Sequence, residues 1–152
     1  MEWYCVDDAD AAKELVEKEN PVGIICAFTD TFRKLAAVVP HPDSFVIEIG
    51  FSYGECSKVI LQALGESAES KFLGVDNSKD LLHEAKERCP HADFEVFNVL
   101  QCPLLLVNAM RRRNKELELI VFVDIGMTFC ILCVCNAVAD SAMWRGFDMG
   151  YC

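Results

Sequence analysis

Positive charge is scarce in this chain. It sets 14 Lys and Arg against 24 Asp and Glu, a formal net charge of −10. That balance argues against a protein whose main affinity comes from neutralising phosphates, so nucleic acid is not expected as the principal partner. Long apolar runs are missing as well. Ile125 to Ala139 is a charge-free stretch of 15 residues, and Gly126, Thr128 and Asn136 interrupt it. A membrane-spanning helix needs about 18 or more apolar residues, so no membrane partner is expected. The opening Met1-Glu2-Trp3-Tyr4 has neither the basic nor the apolar region of a secretory leader. No internal repeat and no low-complexity tract is found. Histidine is reduced to His41, His83 and His91. None falls at the end of an expected strand, and no chemistry is assigned to them. The nine cysteines are an odd number without a secretory context. They read as reduced thiols of an intracellular, cytoplasmic protein and not as a disulfide framework.

What is present is apolar. Of 152 residues 53% are hydrophobic, enough for one domain with a buried core and too many for a disordered chain. Residues 1–43 read as a helical lead-in. Asp7 and Asp8 can cap a helix carrying Ala11, Ala12, Leu15 and Val16, which Asn20-Pro21 ends. Val22 to Phe28 is an apolar run of undecided type. Phe32, Leu35, Ala36 and Val39 then form the stripe of an amphipathic helix, closed by Pro40 and Pro42. From Ser44 the rhythm changes. Phe45 to Ile49, Phe72 to Val75, Phe94 to Phe97 and Leu119 to Val123 are short apolar runs, read as buried strands. Helices are expected between them, over Glu55 to Leu64, from Ser78 to Cys89, and over Leu104 to Arg113. Strand and helix therefore alternate. Continuous apolar strands in that order predict a doubly wound, mostly parallel α/β sheet.

In such a sheet ligands bind beyond the carboxyl ends of the strands. Three features fall there. The first is the segment Glu48-Ile49-Gly50-Phe51-Ser52-Tyr53-Gly54, which joins a strand directly to a helix. Gly50 allows a sharp turn and Gly54 a close approach of backbone to ligand. The second is Asp76, placed to accept hydrogen bonds from the two hydroxyls of a ribose. The third is the pair Asn98 and Asp124, after strands three and four. Plainer readings stand beside these: Asp76 as a helix cap near Ser78, and Asn98 and Asp124 as turn formers. A nicotinamide-binding protein would carry G-x-G-x-x-G, but Ser52 stands in place of the middle glycine. Glu48 would also repel a pyrophosphate. It suits a cationic ligand, such as a sulfonium bearing an α-amino group.

Together, Glu48-x-Gly50-x-x-x-Gly54, Val75-Asp76, Asn98 and Val121-Phe122-Val123-Asp124 resemble motifs I to IV of the class I S-adenosylmethionine-dependent methyltransferases. The resemblance covers roughly residues 44–124. It implies a Rossmann-like methyltransferase topology with S-adenosylmethionine as cofactor, and a site comprising Glu48, Gly50, Ser52, Gly54, Asp76, Asn77 and Asn98. The glycine loop would contact the methionine part, Asp76 the ribose and Asn98 the adenine amino group. Asp124 would lie near the transferred methyl, as the residue that orients a nucleophile or takes its proton. The acceptor is left open among small molecule, protein and RNA. The rivals are a non-catalytic cofactor-binding remnant and an NAD-dependent oxidoreductase.

The family sheet has three more strands after the fourth, whereas 28 residues follow Asp124 here. The expectation is therefore an incomplete C-terminal half in a shortened chain, divided into a lead-in (1–43), a cofactor-binding core (44–126) and an apolar, Cys-rich tail (127–152). In that tail Phe129 to Cys135 can either pair antiparallel with strand four or form a short helix. Cys130-x-x-Cys133-x-Cys135 lacks a second ligand pair and reads as buried thiols, so no metal is expected. Arg111-Arg112-Arg113-Asn114-Lys115 reads as a solvated helix end.

Overall fold

The computed structural model describes residues 1–18, 21–113, 117–126 and 130–135. Seven strands and five α-helices are found there: β1 (Glu2–Cys5), α1 (Ala9–Lys18), β2 (Val22–Cys26), α2 (Thr29–Val38), β3 (Ser44–Ile49), α3 (Glu55–Leu64), β4 (Phe72–Asp76), α4 (Lys79–Arg88), β5 (Phe94–Val96), α5 (Pro103–Arg113), β6 (Glu118–Val123) and β7 (Cys130–Cys135). A short 3-10 helix, Ala68–Lys71, leads into β4. All strands belong to one sheet of order β1-β2-β7-β6-β3-β4-β5. Every pairing is parallel except those of β7, which runs against both β2 and β6.

The winding follows from connection handedness. From β1 through β5 the chain steps across the sheet in one direction, and α1 to α4 all pack on one face. It then returns from β5 to β6, and α5 covers the opposite face. Reversing the step and the face together keeps the crossovers of one hand. β3 and β6 are thus neighbours in space though far apart in the chain. A crevice opens at their carboxyl ends, where strand order reverses.

Side chains alternate across the sheet with a period of two. Phe45, Ile47 and Ile49 join Leu73, Val75, Val121 and Leu106 on the α5 side. Val46, Phe72, Ile120 and Phe122 join Phe32, Leu35 and Ile60 on the other. Glu48 shares the parity of Val46, so β3 aims this carboxylate into the helix-covered face.

One difference from the sequence reading concerns the sheet. The first 43 residues are not helices alone: β1 and β2 extend the same sheet, and the undecided run Val22 to Phe28 is largely β2. Of the two outcomes expected for the segment ending at Cys135, antiparallel pairing with strand four is the one found. β7 pairs antiparallel with β6, in the register Val121↔Cys133, and β2 covers its far edge, in the register Ile24↔Leu132. Phe129 and residues 136–152 of the expected tail lie outside the described residues. The basic cluster also differs at Arg113. Its Nε donates to Asp93 Oδ2 at 2.6 Å and its Nη2 to Glu95 Oε1 at 2.7 Å, which ties the end of α5 to β5.

Candidate functional site

The turn after β3 is built by backbone that doubles back. Gly50 has φ +89°, and a Cβ there would collide with the Asp124 carbonyl. Its freedom therefore lets the ends of β3 and β6 close on each other. The Asp124 N–H donates to the Ile49 carbonyl at 2.8 Å, and the Gly50 N–H to the Val75 carbonyl at 2.7 Å. Two residues on, Ser52 is left-handed without being glycine, with φ 49°. That conformation costs energy for an L residue, and a tether offsets it. The Ser52 N–H donates to Asp76 Oδ2 at 3.0 Å. Gly54 caps α3 with φ 76°, and a Cβ there would sit 3.1 Å from Ala85 Cα. Its missing side chain lets α3 rest on α4.

Asp76 is a hub. Besides Ser52, its Oδ1 accepts the Ser78 N–H at 2.9 Å, while the Ser78 side chain caps nothing. The cap reading for Asp76 is thus present, and the same carboxylate also holds the glycine loop. A carboxylate offers about four acceptor directions, so capacity remains for further donors. Asn77 follows it between β4 and α4. Asn98 spends its Oδ1 on the N–H groups of Leu100, at 3.0 Å, and Gln101, at 3.3 Å. The turn-forming role suggested for it is in place.

Glu48 is the unusual residue. It is 2% exposed, within the helix-covered core. The Ser57 hydroxyl donates to its Oε2. Burial pushes its carboxyl up to about 8; hydrogen bonds from Ser57 and Cys56 pull the other way, and the charges of Asp124 and Asp76 push it further up. Glu48 and Asp124 line the same hollow. Burial, and then the neighbouring Glu48, also raise the Cys56 thiol, which keeps it protonated and poorly nucleophilic. Burial, and then the neighbouring Asp124, raise the Cys130 thiol to about 11. The Gly126 N–H lies 3.4 Å from Asp124 Oδ1, so the turn role of Asp124 is present too.

These groups surround a hollow of about 150 Å³ at the β3–β6 crevice. Glu48, Gly50, Ser52 and Asp124 line it, while Asp76 and Asn98 stand outside its wall. No protein-family model, no curated protein and no solved structure matches this chain. What is established is therefore an α/β scaffold, a mixed and mostly parallel seven-stranded sheet with helices on both faces. No cluster of three or more potential metal ligands occurs among the described residues.

Sequence reading missed part of the wall. Thr29 and Arg33 line the hollow from α2, and Cys56 does so from α3. Ser57 supports Glu48 from behind. Ser57 carried a weak signal, since it lies one helical turn beyond Gly54 in a segment already assigned to α3. Arg33 carried none, because α2 reads as a lead-in and its approach to β3 depends on the whole crossover. Chemically, the hollow joins the buried acid Glu48 and the strand-end Asp124 to one arginine at its wall. It can hold a cation at depth, and Asp124 can hold or accept a proton at the strand end.

Proposed function

We propose that this domain binds S-adenosylmethionine at the β3–β6 crevice and transfers its methyl group to an acceptor presented near Asp124. The observation that carries the reading is the coupling of Asp76 to the glycine loop. One carboxylate tethers the left-handed Ser52 and keeps acceptor capacity for ribose hydroxyls, and the loop it tethers lines the hollow with the buried Glu48. The residue chemistry fits this cofactor better than a dinucleotide, because Ser52 stands where the dinucleotide fingerprint has its middle glycine and Asp124 lines the hollow where a pyrophosphate would lie. When bound, the sulfonium supplies the electrophilic methyl. The chain's own residues position it. Glu48 and the Gly50–Gly54 loop would hold the aminoacyl part, Asp76 and Asn77 the ribose side, and the turn at Asn98 would border the base. Asp124, with the Gly126 N–H on its Oδ1, would hold the acceptor nucleophile in line or take its proton.

Titration calorimetry on the whole chain with S-adenosylhomocysteine and with NAD tests this. Binding of S-adenosylhomocysteine is expected, weakened about 10- to 100-fold by Asp76→Ala, as befits the loss of charge-assisted hydrogen bonds. Binding of NAD with no response to S-adenosylhomocysteine would overturn the proposal in favour of a hydride-transfer site. Binding without methyl transfer to any fractionated extract would favour a cofactor-holding remnant.

A further inference from the structure

Among the described residues, one pair of cysteines meets across a ladder. Cys26 ends β2, Cys130 begins β7, and the antiparallel register sets them directly opposite each other. Register partners project to the same face of a sheet, and both side chains fall in the core on the α1–α4 side. Cys133 and Cys135 belong to the core on the α5 side instead. Cys26 and Cys130 both carry free thiols. We propose that Cys26 and Cys130 are a redox site, closing reversibly to a cross-strand disulfide that staples β2 to β7 beside the hollow.

The ladder supplies the geometry. Directly opposed residues of an antiparallel pair have Cα atoms about 4.5 or 5.5 Å apart. A disulfide spans Cα separations of roughly 4.4–6.8 Å, so the bridge forms without moving either strand. Position supplies the access. The pair is the last rung of the β2–β7 ladder, and Ala27 and Phe28, which follow Cys26, are exposed. Cys26 is 0% and Cys130 5% exposed, but terminal rungs open at far lower cost than the middle of a sheet. Burial, and then the neighbouring Cys130, raise the Cys26 thiol to about 11. Both thiols therefore rest protonated, and the pair answers a sustained oxidant, not a brief one.

Hydrogen peroxide is small enough to reach such a rung. One thiol sheds its proton and the sulfur attacks the peroxide. The O–O bond breaks, the departing hydroxide takes up that proton as water, and a sulfenic acid remains. The second thiol attacks the sulfenic sulfur. The S–S bond forms, and the hydroxyl leaves with the second thiol proton as another water. The thiols together lose two electrons and two protons, which the peroxide accepts, and a dithiol reductant reverses the change. The bond would join two walls of the hollow. Cys26 precedes the α2 start at Thr29, and Cys130 sits one rung past the Val123↔Ile131 pair that ends β6 before Asp124. Thr29 and Asp124 both line the hollow.

The experiment treats the whole chain with hydrogen peroxide, blocks remaining thiols by alkylation, and maps the digest by mass spectrometry without reductant. A linked peptide holding Cys26 and Cys130 is expected, lighter by two hydrogens than the sum of its parts. The oxidised chain should melt about 5–10 °C higher, because the bridge closes a loop of about 100 residues in the unfolded state. Hydrogen exchange over Phe28 to Arg33 should slow several-fold, and dithiothreitol should cancel both changes. Cys26→Ala and Cys130→Ala keep a small apolar group, and each should abolish the linked peptide and the rise in melting temperature. Circular dichroism checks that they are folded, and the wild-type map decides the linkage without them. Oxidation confined to the exposed Cys5 and Cys102, with Cys26 and Cys130 recovered as alkylated thiols, would overturn the proposal. So would a bridge from either residue to a different cysteine. A Cys26–Cys130 bridge that leaves melting and exchange unchanged would overturn the staple.

Discussion

Glu48 is 2% exposed, a position where a carboxylate is costly unless something in the molecule uses it. Its carboxyl is raised from 4.5 to about 8, so the folded chain holds a proton that the unfolded chain releases between those values. Stability from this group is therefore whole below about pH 4.5 and declines as pH rises toward 8. Glu48→Gln should match wild type near pH 4.5 and exceed it by roughly 1–3 kcal/mol at pH 8. Urea denaturation across that range reads the difference, and parallel stability curves would sink the assignment. The same proton links to binding. An ammonium seated at Glu48 favours its ionised form, so affinity for S-adenosylhomocysteine should rise with pH up to about 8, with proton uptake by buffer measurable in calorimetry. In sequence Glu48 stood out as an acid inside an apolar run. That it faces α3 follows from strand parity, but its depth and its partner Ser57 depend on how α3 docks.

At the scale of elements, α2 is held to the sheet by an aromatic contact. Phe32 meets Phe122 of β6 with ring centroids 5.4 Å apart and planes at 82°, and both rings are buried. Phe122→Ala should cost roughly 3–5 kcal/mol and loosen the helix that carries Arg33. Leu104→Ala on α5, where the side chain is 74% exposed, should stay within about 0.5 kcal/mol. Thermal denaturation of the pair checks both, and equal effects would place α2 outside the cooperative core. Elements such as β3, β4 and β6 were legible because strands buried on both faces leave continuous apolar runs. β1 was not. It has four residues, three of them exposed, and so shows neither a run nor an alternation. β2 is a five-residue apolar segment, for which periodicity cannot separate strand from helix.

For the molecule as a whole, the feature that matters is how the sheet ends. β7 carries Cys130, Leu132, Cys133, Val134 and Cys135 as buried residues, and its ladder to β2 runs from Cys26↔Cys130 to Val22↔Val134. An apolar strand of this kind left at an edge is an aggregation hazard. Deleting residues 1–26 removes β1, α1 and β2 and bares that ladder. Sedimentation velocity should then show a larger aggregated fraction than the whole chain gives at equal concentration. An unchanged distribution would mean that the N-terminal strands do not guard β7.

Local pattern was enough for the alternation of strands and helices from Ser44 to Val123, the glycine turn after β3, and the acids at the ends of β3, β4 and β6. Each of these depends on residues close in the chain: a run, a cap, a spacing. Partner choice between distant segments was not encoded in that way. The insertion of β7 between β6 and β2, the use of the N-terminal strands to finish the sheet, and the arrival of Arg33 at the mouth of the hollow all arise from packing. Backbone ladders are satisfied by any apolar strand of suitable length, and only the assembled faces and the handedness of the crossovers select which strand lies where.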